Sequence, residues 1–138
     1  MNDPDLTSDE ALRWLQFSKE DLDVASRLMS ATPTAPRHAC WLSQQAAEKA
    51  LKAALVLEGV EFSFTHDLDA LRNRLPDSWS VRNTHADLAE LTEWAVETRY
   101  PGDWPQPTNV DAARALVEAR SIHESITAGF RFRGVLEA

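Results

Sequence analysis

Apolar side chains along the first thirty residues recur at helical steps. Ala11, Leu15, Ser18, Leu22, Ala25 and Met29 follow one another at alternating intervals of four and three, which returns each to one helix face. Trp14, Phe17, Val24 and Leu28 form the adjoining stripe. Thr7-Ser8-Asp9-Glu10 has the spacing of a capping box, so the first helix is expected to open at Thr7. Pro33 and Pro36 close it, since proline cannot continue a helix interior.

A second helix is predicted from about Arg37 to Glu58, with Gly59 as its stop. On a wheel of about 100° per residue, Gln44, Gln45, Glu48, Lys49 and Lys52 share one arc. Leu42, Ala46, Ala47, Ala50, Ala53, Ala54 and Leu57 occupy the other. The alanine side permits close helix–helix approach and the polar side is expected to face solvent or a partner. Thr65 or Asp67 caps a short third helix that buries Leu68, Leu71 and Leu75, and Pro76 ends it. Thr84 with Asp87 opens a fourth, carrying Leu88, Leu91, Trp94 and Ala95 inward until Pro101, Pro105 and Pro107 stop it. Thr108 with Asp111 caps a fifth, with Ala112, Leu116, Ala119 and Ile126 on one face.

No segment alternates with period two, and all connections but one are short. The pattern therefore predicts an all-α, up-and-down antiparallel bundle of four to five helices. The exception, Arg99 to Pro107, is an irregular loop rich in Pro and Trp, where function tends to sit. At 138 residues the chain matches one domain, with a core from about 8 to 127 and a tail, 128–138, of no clear assignment. Fourteen basic against 22 acidic residues give a formal charge of −8. That field opposes nonspecific binding to DNA and to anionic membranes, without forbidding a local cationic pocket. Cys40 is the lone cysteine, which suits a reducing cytoplasm, and no apolar run approaches the roughly 20 residues needed to cross a bilayer. A cytoplasmic protein without a membrane span is expected.

Three motifs then converge. His38-Ala39-Cys40-Trp41-Leu42-Ser43-Gln44-Gln45-Ala46-Ala47-Glu48-Lys49-Ala50-Leu51-Lys52-Ala53 resembles the second-helix signature of HEPN domains, small helical proteins of bacteria and archaea. Thr65-His66-Asp67-Leu68 follows in the expected place, and Thr98-Arg99-Tyr100-Pro101 resembles the loop before the family's last helix. The resemblance spans about residues 10 to 127. It implies a bundle that usually dimerises, often encoded beside a minimal nucleotidyltransferase in toxin–antitoxin-like pairs, with a proposed capacity to bind nucleotides. Another branch of the family is a metal-independent ribonuclease that uses an Arg followed, four to six residues on, by a His. Here Arg99 is followed at those positions by Trp104, Pro105 and Gln106, and Arg120 and His123 are only three apart. The departure argues against ribonuclease activity and for a non-catalytic nucleotide- or RNA-binding domain.

The candidate chemistry has a plain alternative at each position. Lys49, Lys52 and Arg99 could hold phosphate oxygens, or Lys52 could pair with Glu48 on a solvated face. Tyr100 and Trp104 could stack on a base or fold their loop onto the bundle. Gln44 and Gln45 could meet a base edge or a second subunit. His66 and Asp67 could exchange a proton, although neighbours on a helix start do not face each other; otherwise Asp67 caps while His66 packs on the second helix. Cys40 lies on the buried arc. His38, His85 and His123 lack metal-ligand spacing, so no metal or cofactor is expected. The nucleotide- or phosphate-binding set is thus Lys49, Lys52, Arg99 and Tyr100, with Gln45, Glu48, His66 and Trp104 as accessories and no catalytic residue assigned. A divergent ribonuclease toxin pairing Arg99 with His66, or a pure dimerisation module, remain the alternatives.

Overall fold

In a computed structural model, which describes residues 4–97 and 105–137, six helices and no strands occur among the described residues. They are α1 (Pro4–Ser30), α2 (Pro36–Leu57), α3 (Leu68–Asn73), α4 (Val81–Thr84), α5 (Ala89–Glu97) and α6 (Asn109–Phe132). A short turn reverses the chain between α1 and α2, which pack extensively on each other. The Thr34–Asn109 and Glu58–Arg133 hydrogen bonds tie the two ends of α2 to the two ends of α6. Those helices therefore run parallel, with α3, α4 and α5 as the broken return segment between them. The bundle is up-and-down, as the periodicity predicts.

Helix α2 is the central element, because α1, α6, α5 and α3 all pack on it. Its Ala39, Ala46, Ala47, Ala50, Ala53 and Ala54 are fully buried; methyl-sized side chains let the neighbouring backbones approach closely. Three of the five residues on the polar arc are buried as well: Gln44 is fully enclosed, and Glu48 and Lys52 are only 4% and 6% exposed. This corrects the expectation of a solvated face. A wheel drawn for one helix cannot register that four others cover it. Gly59 ends α2 at φ 68°, in the left-handed region that glycine enters without Cβ strain.

Boundaries differ in instructive ways. Helix α1 opens at Pro4 rather than Thr7, because proline's fixed φ suits a first turn and its missing N–H is no loss there. Asp67 caps α3 by accepting from the Ala70 N–H, and Thr108 with Asp111 forms the reciprocal box that opens α6. Thr84 does not open a helix; its hydroxyl bonds back to the Ser80 carbonyl at the end of α4, a turn the apolar pattern does not reveal. Asp87 receives the Ala89 N–H instead. Phe17, expected inside, is 50% exposed.

One residue of the supposed tail, Phe130, belongs to the core. Helix α6 continues through Gly129 to Phe132, and Phe130 is fully buried against Trp79. The Arg133 guanidinium lies 3.8 Å over the Trp79 ring. Its Nε and the Trp79 indole N–H both donate to Glu58 Oε1, at 3.0 and 2.8 Å.

Candidate functional site

Glu48 is the hub of the buried polar cluster. Its Oε2 accepts from Lys52 Nζ at 2.9 Å, and its Oε1 accepts from Gln44 Nε2 at 3.2 Å and from His66 Nδ1 at 2.7 Å. Helix α2 presents its three groups at intervals of four, one helical turn apart. His66 is brought in from the segment just before the α3 cap. Burial alone would push the Glu48 carboxyl up, but the hydrogen bonds from His66, Lys52 and Gln44, with the Lys52 charge, hold it below the ordinary carboxylate value. An ionised carboxylate only accepts hydrogen bonds. A proton must therefore sit on His66 Nδ1, the nitrogen that faces Glu48.

Gln44 is engaged at both ends of its amide. Its nitrogen also donates to the His66 carbonyl at 3.2 Å, and its Oε1 accepts from Gln45 Nε2 at 2.7 Å. The Lys52 ammonium is ringed by Trp14, Phe62 and Phe64, each 5.6 to 5.8 Å from ring centroid to Nζ. Each such contact is worth about 0.5–2 kcal/mol, more as the cation loses water. Phe64 also stands edge-on to His66 at 5.5 Å and is 89% exposed. It forms an aromatic rim over the buried charges.

The sequence-derived residues thus divide. Gln45, Glu48, Lys52 and His66 are brought together. Lys49 points elsewhere: its ammonium bonds to Asp21 of α1 at 2.7 Å, so the two lysines do not form one pair of phosphate ligands in this state. Glu48 and Lys52 do pair, as the plain alternative holds, but inside the bundle. Arg99, Tyr100 and Trp104 lie outside the described residues. Trp14, Phe62 and Phe64 were missed, because a cation ringed by aromatics is assembled from two separate stretches of chain. His66 next to a capping Asp67 was the only local signal of the third partner.

Elsewhere, Cys40 is buried and its thiol is pushed up to about 12, by burial and then by the Asp111 charge, which makes it a poor nucleophile. Among the described residues no three His, Cys, Asp or Glu groups are placed to hold a metal. No described helix is long and apolar enough to cross a membrane.

Known proteins share this fold. The family model for the HEPN domain matches residues 11–128. A protein of Methanocaldococcus jannaschii named "Putative toxin MJ1304" is 31% identical over 143 aligned positions, covering 91% of each chain. The crystal structure of TT1696 from Thermus thermophilus superposes with a TM-score of 0.76 at 27% identity, over 86% of this chain and 96% of that one. The three-motif signature, the helical bundle built around α2 and a family match across most of the chain agree, and the chain belongs to the HEPN domain family.

Proposed function

We propose that this chain is the nucleotide- or RNA-binding member of a toxin–antitoxin-like pair, acting in the cytoplasm as a homodimer beside a minimal nucleotidyltransferase, without cleaving its ligand. The name of the archaeal relative, a candidate toxin, supports the setting. The observation that carries the reading is the enclosed Gln44–Glu48–Lys52–His66 network with an exposed aromatic rim. Buried ion pairs add little to stability compared with apolar packing, so stability alone does not account for three polar groups buried on α2 with a half-buried histidine against them. The network instead fixes one histidine orientation.

In this reading Lys52 works from within by holding Glu48 ionised. His66 lies where its imidazole can meet the ligand, and Phe64 offers a ring on which a base can stack. Arg99 and Tyr100 are assigned the phosphate fork and a second ring, with Gln45, Lys49 and Trp104 as accessories. Calorimetric titration of ATP, GTP and short RNA tests it. His66→Ala and Arg99→Ala are each expected to weaken binding by about tenfold or more, the loss typical of one charge-assisted hydrogen bond. No binding by wild type, or equal binding by wild type and both variants, rejects the site.

One observation favours a second reading. A histidine whose Nδ1–H is held by a carboxylate at 2.7 Å is oriented as general bases are. A ribonuclease using His66 with Arg99 would cleave total RNA, and cleavage lost in both His66→Ala and Arg99→Ala would replace the binding reading.

A further inference from the structure

A second cluster of polar groups lies across the molecule's α1–α6 seam and has no part in the α2 network. Ser18, fully buried on α1, donates its hydroxyl to the Ala46 carbonyl of α2 at 2.7 Å. The same oxygen lies 2.8 Å from His123 Nδ1 on α6. A carbonyl can only accept, so the single serine proton is committed to Ala46. His123 must then donate from Nδ1, and its remaining ring nitrogen, Nε2, is left for the groove that this histidine lines.

That groove has a volume of about 490 Å³ and is walled by Lys19, Asp23, Arg27, Arg120, His123 and Glu124, with Leu22 at its base. The size is that of a small-ligand pocket. Arg120 and His123 stand three apart on α6 and so share a face, with Arg27 across the groove on α1. Lys19 is engaged by Asp23 at 2.6 Å, whereas neither Arg27 nor Arg120 forms an ion pair with a described residue. Two uncommitted guanidinium forks beside an imidazole with a fixed tautomer match the donor geometry of a phosphate group.

We propose that the groove between α1 and α6 is a phosphate-binding site in which Arg27 and Arg120 hold the anion and His123 donates from Nε2 once protonated there. The charged groups that line the groove with His123 are Lys19, Asp23 and Arg27 from α1 and Arg120 and Glu124 from α6, and the uncharged Ala46 carbonyl of α2 lies behind Ser18. Burial, then the Lys19 charge, lowers the His123 pKa, against smaller opposing effects of Glu124 and Asp23. The ring is therefore neutral at neutral pH and anion binding takes up a proton. Affinity rises as pH falls. The site stands independently of the α2 network.

Calorimetry on the full chain at about pH 5.5 and about pH 8, on either side of the ordinary histidine range, reads this directly. The probes are inorganic phosphate, AMP and sulfate, the last because its own charge is constant across that span. Sulfate is expected to bind more tightly at the lower pH, and His123→Gln to remove that difference. Arg27→Ala and Arg120→Ala, both at exposed positions, are expected to keep the wild-type circular dichroism and to weaken every anion by about tenfold. Tighter binding of AMP than of phosphate assigns a nucleotide as the source, and equal binding assigns the free anion; both support the site. Unchanged affinity in the two arginine variants, pH-independent sulfate binding, or loss of binding in His66→Ala instead would overturn it.

Discussion

Single atoms in this bundle are accounted for almost completely, which makes the exceptions informative. Ser43 Oγ is buried with no hydrogen-bond partner among the described residues. Such a group carries its desolvation cost without return, typically about 1–3 kcal/mol. Ser43→Ala is expected to leave stability unchanged or raise it by up to about 1 kcal/mol, read as an upward shift of the urea midpoint. Glu118 is a second exception. Burial, then the Glu90, Asp87 and Asp69 carboxylates, raises its pKa above 4.5. A raised carboxyl favours the fold at low pH and that contribution is lost as pH rises through the folded value. Glu118→Gln should therefore raise the Tm at neutral pH, with the gain disappearing below about pH 4.5, the ordinary value for this carboxyl; a constant gain at every pH would exclude this cause.

Among the helices, α2 and α6 are set by contacts that a propensity scale misjudges. A Cβ placed at Gly129 would lie 2.3 Å from the Trp79 ring. Gly129→Ala would add about 1 kcal/mol of helix propensity, but the ring is held between Phe130 and Arg133 and cannot step aside cheaply. Overpacking of this kind costs about 1–3 kcal/mol. A net loss of stability is expected on denaturation, and a gain would show that Trp79 is free to move. On α2, Lys52→Ala removes the cation that holds Glu48 ionised in the interior. Breaking one side of a buried pair costs about 3–5 kcal/mol. Glu48→Gln with Lys52→Met is expected to recover most of that loss, because Met fills the space between the aromatic rings and Gln needs no countercharge. The double variant should nevertheless fail to bind nucleotide if the His66 orientation matters.

For the molecule as a whole, two histidines contribute to the response in the mildly acid range. The His85 pKa is lowered by burial and then by Arg72, and that of His123 by burial and then by Lys19. Both take up protons more readily when unfolded, so the unfolded state gains as pH drops below about 6.5. Thermal stability is expected to fall between about pH 7 and about pH 5, and His123→Gln should flatten part of that slope. A phosphate ligand in the α1–α6 groove would oppose the fall by binding the protonated form.

The amino-acid sequence by itself determined five of the six described helices, their order and the family, and left out only the short α4. Apolar steps of four and three and the Asp67 and Thr108 caps depend on neighbours within one or two turns, and those neighbours are present in the chain before it folds. It also singled out Glu48, Lys52 and His66, since their spacing and motif are local. Only the tertiary structure decided that Gln44, Glu48 and Lys52 are interior, that Phe62 and Phe64 close around the ammonium, and that Ser18 commits His123 to one tautomer. Each of those outcomes depends on which helices cover α2 and which side chains from distant positions share its dry interior, and helical periodicity carries no record of either.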